Sequence, residues 1–138
     1  MRSSPGTRAA RPSRPVTFAT VRRLALALPG VEECTSYGTA AFKVRGKFLT
    51  RLKEDGASIV LILGTMTERD FLLGADPDVF FITPHYQDYP DVLVRLAAVQ
   101  PALLAELLEN AWRRVAPKRL VAELDAARAA RPPRRSRR

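Results

Sequence analysis

Apolar and polar positions alternate with a period of two from Ala41 to Lys53, AFKVRGKFLTRLK, the spacing of a half-buried strand pair. Phe42 and Val44 alternate with Lys43 and Arg45, a turn follows at Arg45-Gly46-Lys47, and Phe48, Thr50 and Leu52 then alternate with Lys47, Leu49, Arg51 and Lys53. Successive strand side chains point to opposite faces. The pattern therefore predicts a hairpin with one apolar face and one basic face that gathers Lys43, Arg45, Lys47, Arg51 and Lys53, with no acid among them.

Upstream, Val21, Leu24, Ala25 and Leu28 fall at helical spacing with Phe18 one turn earlier. They predict an amphipathic helix over 18–28, capped at Thr17 and ended by Pro29-Gly30. Val31 to Gly38 reads as a connector. Downstream, Glu54-Asp55-Gly56 is a turn, and the apolar run ASIVLIL at 57–63 predicts a central strand. A short helix over 66–73 is expected, capped at Thr65 or Thr67 and ended by Gly74. Then come a strand at 79–82, an aromatic loop from Pro84 to Pro90, and a last, edge strand at 92–96. Pro101 suits the first turn of a helix that buries Leu104, Leu107, Leu108, Ala111 and Val115, and Pro117 opens another. The expected fold is α+β: an antiparallel sheet of about five strands with an N-terminal helix, a short helix between strands, and two C-terminal helices packed on the sheet.

The formal charge of +9 and the pI near 10.8 point to a polyanionic partner, but the position of the charge changes that picture. Arg2, Arg8, Arg11 and Arg14 precede residue 16, and Arg131, Arg134, Arg135, Arg137 and Arg138 follow residue 130. These nine account for the whole excess, so residues 16–130 are formally neutral. Residues 1–15 and 131–138 are expected to be disordered basic arms, since Arg, Ser and Pro bury too little apolar surface to offset ordering entropy. Within 16–130 the charge is uneven: Glu68, Asp70, Asp76, Asp78, Asp88 and Asp91 crowd one stretch with only Arg69 among them. Cys34 is the single cysteine, which excludes an internal disulfide and fits a reducing compartment. No apolar run is long enough to cross a bilayer, and the expected location is the cytoplasm, without membrane attachment.

The segments LALALPGVEE at 24–33, YGTAAFKVRGK at 37–47, RLKEDG at 51–56, FFITPHYQDYPDVLVRL at 80–96 and AWRRVAPKRL at 111–120 together resemble the MmcQ/YjbR family of small bacterial proteins. The resemblance implies an α+β fold related to the frataxin-like group and a double-wing mode of DNA binding. Two positions depart from the family pattern: Ala40 stands where proline is frequent, and Asp91 adds an acid before the last strand, which weakens an anion site nearby. The frataxin-like relation also raises iron handling, but that needs a carboxylate ridge, and the first helix offers Arg22 and Arg23 instead.

Three groups of residues carry candidate chemistry. The hairpin cations are spaced to follow phosphates along a duplex, or to solvate the exposed side of a sheet and blunt its edges. His85, Tyr86 and Tyr89 lie in one loop, where they either contact a ligand or partner or pack the loop onto the domain. Lys118 and Arg119 sit in the first turn of the last helix, where cations oppose the helix dipole. With Arg113 and Arg114 they form either an anion site at the helix amino end or a solvated helix corner. Trp112 is assigned to packing. His85 is the only histidine, and no nucleophile–base pair, glycine-rich phosphate loop or metal-ligand spacing occurs. The expectation is a non-enzymatic domain without cofactor or metal that binds nucleic acid, duplex DNA of low sequence specificity, through the hairpin and the Arg-rich arms. The alternative is a protein-interaction or small-ligand module that uses the loop at 83–89. Oligomeric state is not legible.

Overall fold

Residues 15–131 are described by the computed structural model of the protein; the expected basic arms, apart from Pro15 and Arg131, lie outside the described residues. In chain order the elements are α1 (Phe18–Leu26), β1 (Val31–Ser36), β2 (Thr39–Val44), β3 (Lys47–Leu52), β4 (Ser58–Ile62), α2 (Met66–Ala75), β5 (Phe80–Phe81), a 3-10 turn (Pro84–Tyr86), β6 (Asp91–Arg95), α3 (Pro101–Val115) and α4 (Lys118–Ala130). No helix among the described residues is long and apolar enough to cross a membrane.

The fold is α+β, as expected, with an antiparallel sheet in the order β1-β2-β3-β4-β6-β5. It has six strands, because Val31–Ser36 is a strand and not a connector. Two tight turns explain this. Tyr37-Gly38 and Arg45-Gly46 both have positive φ at each residue (54° and 80°, 50° and 83°), the backbone of two-residue hairpin turns whose twist matches the strands they join. Val31 thus pairs with Val44 and Ser36 with Thr39. The strand was hidden because Glu32 and Glu33 face solvent on an edge and leave little apolar alternation. A second correction concerns β6, which lies between β4 and β5; the edge is the two-residue β5.

The register of β3 departs from simple alternation. Phe42 of β2 lies opposite Thr50, while its neighbour Lys43 lies opposite Phe48, so Leu49 is an extra residue on β3, a bulge. Both Leu49 and Thr50 are buried, and Leu49 belongs to the helix-side core. Past the bulge the parity inverts. Cross-strand partners share a face, so Ala41, Arg51, Val60, Leu93 and Phe81 form one row across the open face. Leu52, Ile59, Val94 and Phe80 form a row on the helix side. The predicted basic face therefore splits: Lys43, Arg51 and Lys53 belong to the open face, whereas Arg45 stands in the turn and Lys47 pairs with the core residue Val44.

The main core fills the space between the sheet and α1, α3 and α4. Phe42, Leu61, Val92 and Val94 meet Val21, Ala25, Leu104, Leu108 and Trp112 there. Trp112 is fully buried, and its indole N–H donates to Pro29 O at 2.9 Å, which satisfies the one polar atom the ring brings into the core. Arg22 clamps α1 to β1 through both oxygens of Glu33, at 2.9 and 3.0 Å. On the open face a smaller cluster of Val60, Leu93 and Tyr86, with Phe48, Phe81 and Ile82 against it, is covered by the segment that follows β5.

Candidate functional site

The segment between β5 and β6 forms one wall of a cleft on the open face. Thr83-Pro84 starts a 3-10 turn, and proline at its first position needs no N–H partner there. The turn lays Tyr86 over Val60 and Leu93. Tyr86 OH accepts a hydrogen bond from Lys53 Nζ at 2.9 Å, and His85 meets the Tyr86 ring edge-on, 4.8 Å between centroids. The segment is held from below by Arg69, a buried arginine of α2. Its Nη1 donates to the carbonyls of Tyr86, Gln87 and Tyr89 at 3.3, 2.8 and 3.1 Å, and Nε and Nη2 donate to Asp70 Oδ1 at 3.1 and 2.9 Å. The carbonyls of a non-repetitive segment are thereby satisfied by one side chain.

Opposite this wall stands the β1–β2 turn. Arg51, only 7% exposed, donates to Thr39 Oγ1 at 3.1 Å and lies 4.9 Å from the centroid of the Tyr37 ring, which is 81% exposed. Between the walls is a cleft of about 710 Å³ whose lining includes Tyr37, Lys43, Phe48, Arg51, Lys53 and Tyr86, within the ~300–1,000 Å³ range of small-ligand sites. Phe48, Val60 and Ile62 make its apolar floor, and His85, Glu54 and Asp91 stand at its rim.

Three cations and two carboxylates set the charge of the cleft. Glu54 takes up two of the cations, 3.4 Å from both Arg51 Nη1 and Lys53 Nζ. A hydrogen bond from its own backbone holds its carboxyl below the usual range against desolvation, and Arg51 and Lys53 act in the same lowering sense. Asp91 is different: burial pushes its carboxyl upward, and the positive charges of His85 and Arg69 only partly offset this. The Lys43 ammonium has no hydrogen bond or ion pair among the described residues, although Glu32 is its cross-strand partner on β1, so it is the cation available to an incoming group.

The other expected site residues lie elsewhere. Tyr89 is exposed and outside the cleft lining, with only its carbonyl engaged by Arg69. Arg113 is committed to Glu109 at 2.9 Å and Asp125 at 2.8 Å, and Arg114 donates to Ile62 O at 2.8 Å, so neither joins Lys118 and Arg119 in an anion site at the start of α4. Lys118 and Arg119 are exposed. Gly30 brings the start of α4 against the hairpin: a Cβ built there would lie 2.6 Å from Leu120 Cδ1 and 3.8 Å from Arg45 Nε. The β2–β3 turn and the start of α4 are thus neighbours on the helix side of the sheet.

Sequence reasoning missed Tyr37, Phe48 and Arg69. Tyr37 was signalled by Tyr37-Gly38 ahead of an alternating strand, and Arg69 by being the lone cation in an acidic stretch. Phe48 was assigned to the core face because nothing in the alternation marks Leu49 as the extra residue.

Comparison with known proteins agrees with this architecture. Uncharacterized proteins of Mycobacterium tuberculosis and Mycobacterium bovis are each 50% identical over 50 residues, 36% of this chain and 39% of theirs, so the match spans about two fifths of those relatives. The crystal structure of a Deinococcus radiodurans protein described by the domain DUF419 superposes with a TM-score of 0.62 and 23% identity, over 80% of this chain and 88% of that one, a likeness of fold. The sequence model of the YjbR family matches residues 26–114, which takes in the sheet and most of α3, and the chain belongs to the YjbR family.

Proposed function

We propose that the domain is a non-enzymatic binding module whose ligand enters the open-face cleft between the Tyr37 turn and the Tyr86 segment. The observation that carries this reading is convergence: two walls built by separate parts of the chain place the rings of Tyr37, Phe48, His85 and Tyr86, an apolar floor and an uncommitted lysine around one ligand-sized space. Lys53 and Arg51 are held by phenol, hydroxyl and carboxylate partners, an arrangement suited to orienting a ligand. The test is an NMR-detected screen of a small-fragment library against the full chain. Shift changes from the hits should cluster on Tyr37, Lys43, Phe48 and Tyr86; hits scattered over the surface, or gathered on the helix side, overturn the reading.

A second reading is favoured by the contact at Gly30. Arg45 and Lys47 at the hairpin tip and Lys118 and Arg119 at the start of α4 are all exposed and have no acidic partner among the described residues, and Gly30 has Arg45 Nε and Leu120 of α4 as near neighbours. Such a patch contacts a duplex phosphate backbone without reading sequence. Fluorescence anisotropy of the full chain with a mixed-sequence duplex across a salt series separates the two. If the duplex uses this patch, Arg45→Ala with Lys47→Ala weakens binding and flattens the salt slope, while Lys43→Ala does neither. Unchanged affinity and slope for the double variant remove the patch from nucleic-acid binding.

A further inference from the structure

The geometry points to a small aromatic monoanion as the ligand of the cleft, its ring on Phe48 and its acid group on Lys43. The inference rests on the cleft being the ligand site, and it adds the chemical class. Lys43 and Phe48 are direct cross-strand partners on the open face, a position in which the side chains of neighbouring strands stand about 5 Å apart at Cβ. The two-residue turn at Arg45-Gly46 sets that pairing, and the bulge at Leu49 beyond it turns Arg51 and Lys53 to the same face as Lys43 and Phe48. A ligand bound there has an apolar ring next to a charge.

The charge count sets the valence. Among the residues that line the cleft, Lys43, Arg51 and Lys53 against Glu54 and Asp91 leave one positive charge in excess when all are ionised; Glu32, the cross-strand partner of Lys43 on β1, lies outside the lining and makes no ion pair with it. Arg51 and Lys53 share Glu54, and each is further engaged, Arg51 by Thr39 and the Tyr37 ring, Lys53 by the Tyr86 hydroxyl. Only Lys43 remains to neutralise an acid group. A second acid group on the ligand would meet either the apolar floor of Val60 and Ile62 or the carboxyl of Asp91, which is Ile62's own cross-strand partner. Both placements are unfavourable, the first by desolvation and the second by repulsion whenever Asp91 is ionised. The Tyr37 ring, exposed and backed by Arg51, offers a second surface for an aromatic body.

The experiment titrates the full chain with three naphthalenes, the 1-sulfonate, the 1,5-disulfonate and the 1-methylammonium, and with a single-stranded hexathymidylate, each followed by amide shift changes. The expected result is saturable binding of the monosulfonate with shifts at Tyr37, Lys43 and Phe48. The disulfonate and the oligonucleotide should bind the cleft at least about tenfold more weakly, and the ammonium compound should leave it unmoved, since a charge-assisted hydrogen bond is worth about a factor of ten or more. Lys43→Met should abolish the preference for sulfonate over ammonium and Lys43→Arg should restore it, with Trp112 fluorescence and amide dispersion reporting that both variants are folded. Tighter cleft binding by the disulfonate or the oligonucleotide overturns the monoanion class in favour of a polyanion site. Equal cleft binding of sulfonate and ammonium overturns it while leaving the cleft as the ligand site. Absence of any cleft shift overturns both.

Discussion

Arg69 lies beneath Tyr86 and holds its carbonyl together with those of Gln87 and Tyr89. A single Nη1 has two hydrogens to give, so three carbonyls at 2.8 to 3.3 Å share them, and the segment from Tyr86 to Tyr89 is pinned at three points by one residue. Arg69→Met keeps much of the aliphatic packing and leaves the carbonyls unsatisfied. It should cost about 1–3 kcal/mol, measured by urea unfolding, and should speed amide exchange in residues 85–89 more than in β3 or β4. Uniform exchange across the sheet would mean that the segment is held by Tyr86 packing alone.

Gly30 has φ of 77°, and a Cβ there would stand 2.6 Å from Leu120 Cδ1. The left-handed backbone alone costs an L-residue about 1–2 kcal/mol, and the start of α4 must also move. Gly30→Ala should therefore lower the thermal midpoint more than Gly38→Ala, since Gly38 has a similar φ but open space around it. Equal losses at the two sites would show that Leu120 yields without cost.

Most of the helices and the central strands were legible because their signals are local. Thr65 caps α2 by accepting from Glu68 N–H at 3.0 Å, Pro101 opens α3, and the apolar run around Val60 fills the middle of the sheet. Trp112 packs as expected, although its partner Pro29 lies 83 residues away. The cleft was less legible. Its loop residues His85 and Tyr86 and its cations Lys43, Arg51 and Lys53 were all singled out, but their company was wrong, since the bulge at Leu49 parts Phe48, which the turn sets opposite Lys43 on the open face, from Thr50 and Leu52 on the core face. A bulge is fixed by what packs on either side of the strand, and local alternation carries no trace of it. Gly74 shows the same limit in a helix: it reads as a terminator, yet α2 runs through it to Ala75.

The corner between α3 and α4 is an ion-pair network with a definite pH signature. Hydrogen bonds from Arg128 and then Arg113 hold Glu109 below its ordinary range, and Arg113 does the same for Asp125. Carboxyls depressed in the folded state contribute stability that is present above their unfolded values, about 4.3 for Glu and 3.9 for Asp, and is lost as pH falls through the folded ones. The pairs are partly exposed, so salt screens them in part. Arg113→Gln with Arg128→Gln should flatten the fall in thermal midpoint below about pH 4.5, and added salt should shrink the difference. An unchanged acid limb would place acid lability elsewhere, for instance at Glu33 with Arg22.

Asp91 acts in the opposite sense and touches the cleft. Its carboxyl is raised by burial, with His85 and Arg69 as the opposing positive charges, so between its unfolded value of about 3.9 and its higher folded value the folded state binds the extra proton. Stability from this group is lost as pH rises through that window, and at neutral pH the ionised carboxylate is a net cost to the fold. Asp91→Asn should raise the thermal midpoint at pH 7, and the gain should disappear below about pH 4, where the wild-type carboxyl is protonated in both states. The substitution also removes one of the two carboxylates that balance Lys43, Arg51 and Lys53. It should therefore tighten the hold of the cleft on 1-naphthalenesulfonate at pH 7 and lessen its bias against the disulfonate. A variant that gains stability without any change in sulfonate affinity would separate Asp91 from the ligand and confine its role to the start of β6.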